Sequence, residues 1–542
     1  MKTSAKTTAL YRPLSFRRLV VIVLCLCLLP AAAWGMRQGR AGETRLENEG
    51  EALLDRWQAD AALAWVEARL AAEPLQPAWR FLRARALFYQ GRYQEALEAF
   101  DALLDILPHP SFQEYRDFVA ATQRSTADLE LLETPHFRIY IDPRRDAALM
   151  PYVADVLERS YQRLGGYFQF FPKEKIRVEI FPTTAAFYPA SSLSARDIEV
   201  SGAIGICKFN KIMLLSPRNL SRGYRWADSL SHEYVHYVLV HLSHNRAPVW
   251  LHEGIARYLE DAWRLPQPGW LNRRTESLLA HALANNSFVG FKNMEPSLVR
   301  LETTYQVQLG YAEAASAIDF IVQRLGYEGL PLLLQELQQA PAGEGAAEAI
   351  ARLMGLGFDA FEREWRRYLA ARGLRAHDGV RMPRFDLKQD GTTTAADLRR
   401  EISSGTARMH SRLGDRLRRR GRLPAAAMEY RRALEKEPHS PFLLNKLATA
   451  LMAQGRRQQA LRHLLRASEL ETDYVTTYTN LGGLYIVLGE YERACAALAQ
   501  ATQINPFDPT VHLHLATCHA QLGDEDKAQQ ERQLFEQLEG SL

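Results

Sequence analysis

The chain has 542 residues, of which 47% are hydrophobic and 24% are charged, and its formal net charge is +4. This length exceeds that of one ordinary domain, and the composition is typical of soluble globular proteins. A fibrous, collagen-like or wholly disordered chain is therefore excluded.

The N-terminal segment 1–35 differs from the rest of the chain. It contains five basic and no acidic residues, and the apolar run Leu19–Leu29 is followed by Pro30 and small residues. This order is typical of a secretory signal peptide, although the uncharged segment Leu19–Met36 is also marginally long enough for an uncleaved membrane anchor. Pro30 favours cleavage, which would change the net charge from +4 to about −1. Both alternatives predict export, and membrane attachment is expected only if the segment is not cleaved.

Residues 36–128 are predicted to be helical. Residues 47–73 have the periodicity of one or two amphipathic helices. Small and apolar residues then recur at helical spacing on both sides of a glycine, at Ala84, Leu87, Gly91, Tyr93, Ala96, Phe100, Leu103 and Pro108.

Residues 129–375 are not repetitive and change from strand-like to helix-like patterns. The strand-like segments are His136–Asp142, Lys175–Phe181, Glu199–Lys208 and Lys211–Leu215. Ala147–Phe168 reads as a helix, and the periodicity is mostly helical from Trp226 to Gly373. Strands followed by helices predict an α+β domain.

The motif His232-Glu233-Tyr234-Val235-His236 lies in a predicted helix, Trp226–Leu242. Two histidines four residues apart project from one face of a helix, so both imidazoles can bind one metal ion. Glu233 is the next residue around the helix and can reach a water molecule on that ion without being a ligand. The motif alone is only moderately specific, and the alternative is two histidines that bind no metal.

A second motif follows at Val249–Glu260, with the sequence Val-Trp-Leu-His-Glu-Gly-Ile-Ala-Arg-Tyr-Leu-Glu. The two motifs together resemble the gluzincin zinc metallopeptidases, especially the bacterial peptidase-MA-like group, whose third-ligand helix has the pattern Trp-Leu-x-Glu-Gly-x-Ala. The resemblance covers roughly residues 135–370. It implies a zincin-like fold in which His232, His236 and Glu253 bind Zn²⁺.

The resemblance also implies roles for residues around the metal. Glu233 would be the general base that accepts the proton of a zinc-activated water. Tyr311, near the start of a predicted apolar helix, is similar to a family tyrosine and would stabilise the oxyanion, with a packing role as the alternative. Lys211–Leu215 would be the edge strand that binds an extended substrate. Gly254 and Ala256 would let the third-ligand helix pack against the HExxH helix.

Other side chains near the motifs leave alternatives open. His252, His241 and His244 could compete with Glu253 as the third ligand, although a carboxylate supplies negative charge to the ion and matches the family. The metzincin pattern fails because leucines occupy its glycine and third-histidine positions.

The chain departs from the family at one position. In some gluzincins, an acidic residue one turn after the third ligand orients a histidine, but Arg257 occupies that position here. Asp228 and Glu260 are the alternatives, and the sequence does not decide between them.

Equally spaced glycines, at 421, 455, 489 and 523, mark four repeats within residues 406–540. The accompanying small and apolar residues, such as Leu413-Gly414, Ala426 and Tyr430, resemble the tetratricopeptide repeat. The unit around Gly91 fits the same template. Stacked repeats form a superhelix whose groove is expected to bind a protein partner, with a structural spacer as the alternative.

The segments around these repeats carry further expectations. Residues 376–405, rich in charged residues, Gly and Thr, are predicted to be a linker with few contacts, so that the C-terminal repeats fold independently. The basic stretch Arg416–Arg422 is interpreted as a solvated helix face, and no nucleic-acid binding is predicted. Cys207, Cys495 and Cys518 are expected to be free thiols, with pairing of the last two as the alternative.

The predicted architecture is an α+β zincin-like metallopeptidase domain (129–375) between an N-terminal helical region (36–128) and C-terminal repeats (406–540). The predicted function is that of an exported zinc metallopeptidase of a bacterial periplasm or cell envelope, which hydrolyses protein or peptide substrates docked by the repeats. The alternative is a non-catalytic repeat scaffold with a structural or vestigial metal site. The presence of Glu233 favours the enzyme, because a structural site needs no general base.

Overall fold

The computed structural model describes residues 49–341, 344–383, 385–388 and 402–540. The predicted signal or anchor segment, residues 1–35, lies outside the described residues, and so does part of the linker. Within the described ranges, no helix is both long enough and apolar enough to cross a membrane.

The N-terminal region is helical, as the periodicity predicts. After helical residues 49–55, the helices are α1 (Ala59–Leu70), α2 (Pro77–Tyr89), α3 (Tyr93–Leu104) and α4 (Pro110–Thr126). Gly91, at φ 74°, turns the chain between α2 and α3. Aromatic rings fill the core between these helices, with Phe100 and Tyr115 stacked at a centroid distance of 5.3 Å.

A five-stranded mixed sheet follows. The strands are β1 (Glu130–Glu133), β2 (Phe137–Ile141), β3 (Ile176–Phe181), β4 (Gly205–Lys208) and β5 (Lys211–Leu215). Their order is β1-β2-β3-β5-β4, in which β2, β3 and β5 are parallel and both outer strands are antiparallel to their neighbours. The prediction that Lys211–Leu215 forms the edge is wrong, because β5 pairs with β3 on one side and with β4 on the other. The edge strand is β4.

Helices cover the sheet and continue beyond it. They are α5 (Met150–Phe168), α6 (Thr184–Ser191), α7 (Ala195–Ser201), α8 (Trp226–Ser243), α9 (Val249–Leu259), α10 (Arg273–Asn285), α11 (Thr304–Leu325), α12 (Gly329–Gln339), α13 (Ala346–Met354) and α14 (Phe358–Ala371). Strands followed by helices confirm the α+β prediction. Helix α8 lies on the sheet, where the Tyr234 ring is 5.7 Å from that of Phe137.

The predicted strand Glu199–Lys208 is wrong in its first part. Residues up to Ser201 belong to α7, because Ser194 and Asp197 form a reciprocal capping box that starts a helix there. Extended structure begins only at Gly205, after Gly202 has ended the helix at φ 75°.

The N-terminal helices are joined to the sheet by a buried ionic network. Glu179 in β3 accepts hydrogen bonds from Lys211 Nζ at 2.9 Å and Arg177 Nε at 2.7 Å, and also from the Tyr93 hydroxyl of α3. Burial opposes the charged carboxylate, but Lys211 and Arg177 outweigh it and lower the pKa of Glu179 to about 2. Burial lowers the pKa of Lys211 to about 8.

The turn between β4 and β5 strengthens this junction. Phe209 and Asn210 have φ values of 56° and 59°, as a tight two-residue hairpin requires. The Phe209 ring packs among aromatic residues of the N-terminal helices, 5.2 Å from Phe88 and 5.5 Å from Phe118.

The C-terminal region consists of four helix–turn–helix repeats. The helices are α15 (Gly405–Arg419), α16 (Leu423–Lys436), α17 (Pro441–Met452), α18 (Arg457–Leu470), α19 (Val475–Leu488), α20 (Tyr491–Thr502), α21 (Pro509–Gln521) and α22 (Glu525–Gly540). The four equally spaced glycines have φ values of 70–79° and turn the chain within each repeat. Cys207, Cys495 and Cys518 are free thiols.

The C-terminal repeats are docked against the sheet-containing domain. The Trp226 indole at the start of α8 donates to the Thr502 carbonyl at 2.8 Å, and the Tyr224 amide donates to the Ile504 carbonyl at 3.1 Å. Trp226 is 1% exposed, so this hydrogen bond is buried where the two regions meet. The expectation of few contacts between these regions is therefore wrong.

The middle of the linker also contacts the sheet-containing domain. The Ser221 amide donates to the Asp386 carbonyl at 3.0 Å, and the Lys388 amide donates to the Asn219 carbonyl at 2.8 Å. Phe385 lies directly over Gly202, where a Cβ would be 2.3 Å from its ring. Residues 385–388 thus follow the domain surface rather than spanning free solvent.

We predict that Trp226→Phe lowers the free energy of unfolding by about 1–2 kcal/mol, because the Thr502 carbonyl loses a buried donor. Thermal and denaturant unfolding of the full chain would measure this. The same substitution should have a much smaller effect in a chain that ends before residue 406, since the partner carbonyl is then absent. An equal effect in both chains would show that the contact does not stabilise the docked arrangement.

Candidate metal centre

Two helices bring the predicted metal ligands together. His232 and His236 project from one face of α8, and Glu253 projects from α9 towards them. Glu253 Oε2 is 3.4 Å from His232 Nε2 and 3.6 Å from His236 Nε2. Tetrahedral zinc with bonds of about 2.0–2.1 Å separates its ligand atoms by about 3.3 Å, so this donor set fits the ion.

The three side chains are strongly coupled electrostatically. Burial opposes the charged form of His232, but hydrogen bonds to Glu253 and Glu260 outweigh burial and raise the pKa of His232 to about 10. Burial also opposes the charged form of Glu253, yet the two histidines hold its pKa well below the usual range. A proton on His232 and a metal ion therefore compete for the same anionic pocket.

Glu260 orients the first histidine. Its Oε2 atom is 3.3 Å from His232 Nδ1, the nitrogen on the far side from Glu253. Its other oxygen accepts a hydrogen bond from Arg257, the residue that departs from the family pattern. In the family pattern the acidic residue lies one helical turn after the third ligand, whereas Glu260 lies about two turns after Glu253. Arg257, at the one-turn position, is hydrogen-bonded to Glu260.

Asp228, the other candidate for this role, has different partners. It accepts hydrogen bonds from Trp263 Nε1 at 3.0 Å and from Arg264 Nη2 at 2.8 Å. Burial opposes its charge, but Arg264 outweighs burial and lowers the pKa of Asp228. It anchors the first turn of α8, and its hydrogen bonds go to Trp263 and Arg264 rather than to His232.

The three competing histidines lie outside the ligand set. His252 Nδ1 is 3.4 Å from His236 Nδ1, behind that ring, and burial lowers the pKa of His252 to about 3. A neutral His252 can therefore accept a hydrogen bond from His236. The His241 ring lies against Tyr237 at 4.5 Å, and His244 is hydrogen-bonded to Gln338 at 3.0 Å.

Glu233 lies beside the ligands and against the edge strand. It is 7% exposed, and burial raises the pKa of its carboxyl. A Cβ on Gly205 of β4 would be 2.8 Å from Glu233 Cγ, so only glycine leaves room for this side chain. No sequence pattern points to Gly205, because the contact joins residues in a strand and a helix that are distant in the chain.

Tyr311 faces the ligands from α11. Its ring centroid is 6.4 Å from that of His232, and burial raises the pKa of its hydroxyl well above the usual range. The prediction that it lies near the start of its helix is wrong, because a capping box at Thr303 and Gln306 starts α11 about two turns earlier, at Thr304.

Gly254 has a different neighbour from the one predicted. A Cβ there would be 2.7 Å from the Ala314 carbonyl oxygen, so Gly254 lets α9 approach the backbone of α11, not that of α8. This approach holds the helix that carries Glu253.

The ligands and Glu233 line a cavity of about 1200 Å³. All three regions of the chain contribute to its walls. Tyr89 and Tyr115 come from the N-terminal helices, Phe385 from the linker, and Asp473 and Gln500 from the C-terminal repeats. This volume exceeds the roughly 300–1,000 Å³ of small-molecule pockets.

We predict that the protein binds about one zinc per chain, and that His232→Ala, His236→Ala and Glu253→Ala each lower zinc affinity at least about tenfold. Elemental analysis combined with a competing chelator would measure this. His244→Ala is the matched control and should retain zinc. Full zinc occupancy in the His232→Ala, His236→Ala double variant would exclude this site.

Comparison with known families finds matches to separate parts of the chain. Residues 172–371 match the Peptidase MA superfamily. Tetratricopeptide-repeat matches cover residues 77–110 near the N-terminus and residues 411–470, 445–509 and 479–533 near the C-terminus. No curated protein matches the chain significantly.

Several solved structures are similar to part of the chain. A thermophilic TPR protein of Thermus thermophilus is 28% identical over 25% of this chain and 75% of its own, with a TM-score of 0.24. MamA is 19% identical over 36% of this chain and 94% of its own, also with a TM-score of 0.24. These TM-scores are too low to carry a conclusion. On the family matches, the chain contains a Peptidase MA superfamily domain with tetratricopeptide repeats on both sides.

Proposed function

We propose that this chain is a zinc-dependent metallopeptidase that hydrolyses peptide bonds in an extended polypeptide. The observation that carries the proposal is the position of Glu233, which lies beside the ligand set but is not needed as a ligand. We further propose export to the periplasm or envelope of a bacterium, on the basis of residues 1–35 alone.

The donor set suits a catalytic ion. Two imidazoles and one carboxylate leave a fourth position free for a reactant, whereas structural zinc sites use four protein ligands. When bound there, zinc supplies Lewis-acid chemistry, which polarises a carbonyl group and makes water more acidic. Glu260 and His252 contact the Nδ1 atoms of the two imidazoles, so each Nε2 atom would be left to bind the ion.

Glu233 is suited to move a proton. Its carboxyl is held between the ligands and the β4 backbone, and burial raises its pKa, which makes the carboxylate a better base. In the proposed reaction it accepts the proton of the attacking water and delivers it to the leaving amine. Tyr311 keeps its hydroxyl proton, because burial raises its pKa, and so can donate a hydrogen bond to the oxyanion.

The edge strand supports a polypeptide substrate. β4 pairs only with β5 among the described strands, so its other edge is available for an extended chain. Gly205 of β4 touches Glu233, so a segment paired along β4 would place a peptide bond near the proposed base. The size of the cavity suits such a segment better than a small molecule.

We predict that Glu233→Gln keeps the fold and bound zinc but lowers peptide hydrolysis by about 10²–10⁴-fold, because an amide cannot accept the proton of water. Digestion of a peptide library, followed by mass spectrometry, would measure this. Glu114→Gln, at an exposed position of α4 that also lines the cavity, is the matched control and should retain activity. If the wild-type protein, loaded with zinc, cleaves nothing in a broad library, the non-catalytic scaffold becomes the better description.

We predict that Gly205→Ala also keeps zinc but lowers hydrolysis at least about tenfold, because the added methyl displaces the Glu233 side chain. Gly166→Ala is the control, since a Cβ there meets no atom within 4 Å. Unchanged cleavage by Gly205→Ala, with the fold intact, would show that the position of Glu233 against β4 does not matter.

A further inference from the structure

The second helices of the first two C-terminal repeats, α16 and α18, carry exposed arginines. Arg431, Arg462 and Arg466 are exposed, and none of them forms an ion pair with a residue that the structure describes. Arg432 differs, because Glu429 neutralises it at 2.6 Å. The three arginines therefore leave positive charge uncompensated on this side of the repeats.

These arginines form one cluster. Arg462 and Arg466 are one helical turn apart on α18. Arg431 lies on the preceding repeat, and its charge affects the same histidine, His463, as theirs do. The pKa of His463 is lowered first by burial and then by Arg431, Arg462 and Arg466. The charges that act on His463 are thus all positive, which agrees with a surface of uncompensated arginines.

Apolar side chains lie among the arginines. Met428 is 47% exposed and Leu465 is 42% exposed, both on the same two helices. When the repeats are aligned on Gly421 and Gly455, Met428 corresponds to Arg462 and Arg431 corresponds to Leu465. Together these five residues, the three arginines with Met428 and Leu465, form a mixed basic and apolar surface, here called the arginine face.

The arginine face leads towards the cavity. Gln500 follows Arg466 by one repeat length and occupies the equivalent position on α20. Gln500 lines the cavity and accepts a hydrogen bond from Arg225 at 3.1 Å. Asp473, which lies just after α18, also lines the cavity.

We propose that the arginine face binds an acidic segment of the polypeptide substrate and guides the adjoining chain towards the cavity. The first step, binding of the acidic segment, does not depend on the proposed peptidase function. The second step, guiding the adjoining chain towards the cavity, rests on it. Guanidinium groups bind carboxylates through paired hydrogen bonds, and exposed Met and Leu side chains pack against the aliphatic parts of such a segment. Continuity with the cavity favours a polypeptide over a membrane surface.

A binding measurement tests the first step without requiring catalysis. The full chain carrying Glu233→Gln is titrated into a fluorescein-labelled octaglutamate peptide, and fluorescence anisotropy gives the Kd. The additional substitutions Arg431→Gln, Arg462→Gln and Arg466→Gln should raise the Kd at least about tenfold, and added salt should weaken binding to the parent chain. The matched control, Arg416→Gln with Arg419→Gln and Arg420→Gln, removes equal charge from exposed positions of the first repeat and should change the Kd less than about threefold.

Two results would overturn the proposal. Equal weakening by both triple variants would show that net charge, not the arginine face, attracts the probe. Arginine-dependent binding to phosphatidylglycerol vesicles without binding to octaglutamate would assign the face to an anionic membrane instead.

A cleavage measurement tests the second step. A cleavable peptide is compared with the same peptide carrying an octaglutamate extension, in the chain that retains Glu233. The extension should raise kcat/KM, and the Arg431, Arg462 and Arg466 triple variant should lose this gain while cleaving the short peptide normally. Binding without any cleavage would contradict the peptidase function and leave the arginine face standing, whereas cleavage with no gain from the extension would contradict the guiding role.

Discussion

The position of α8 is the constraint on which the rest of the structure depends, because this helix carries two of the three proposed metal ligands and the proposed base. Its first residue, Trp226, is fixed by the Thr502 carbonyl of the C-terminal repeats. Near its last turn, His241 packs within 6.2 Å of Trp57, which belongs to the N-terminal region. The N-terminal region and the C-terminal repeats therefore contact opposite ends of one helix.

The second ligand-bearing helix depends on a different contact. Gly254 lets α9 approach the Ala314 carbonyl of α11, and Tyr311 lies on that same helix. The approach of α9 and the placement of Tyr311 are thus set by one packing contact. A larger residue at 254 would move Glu253 away from the histidines, even though its own side chain would not enter the cavity.

The features that the sequence predicts correctly depend on local geometry. The spacing of His232 and His236 places both on one face of any helix, whatever that helix packs against. The regular spacing of the glycines likewise predicts the repeat turns, because it does not depend on contacts between distant segments. The alternation in Phe137–Ile141 predicts a strand for the same reason. A family pattern adds Glu253, which no local rule would have joined to the histidines.

The features that the sequence does not predict are contacts between distant segments. The choice of β4 as the edge depends on which strand pairs with β5, and alternation within a strand carries no information about this. The sequence offers Glu260 and Asp228 as alternatives for orienting a histidine, but spacing along the helices does not decide between them; the contact between Glu260 and His232 does. The C-terminal repeats dock through backbone carbonyls, such as that of Thr502. Every residue has a backbone carbonyl, so the sequence does not show which ones form this contact.

The β4–β5 hairpin has a consequence for how such a chain can be recombined. Phe209, at its tip, belongs to the aromatic core of the N-terminal helices, while Gly205, in its first strand, shapes the space around Glu233. The hairpin is thus shared by two units that sequence comparison separates. A graft that exchanged the N-terminal helices alone would leave Phe209 without its aromatic neighbours, whereas a graft that also exchanged the hairpin would replace the residue that leaves room for Glu233.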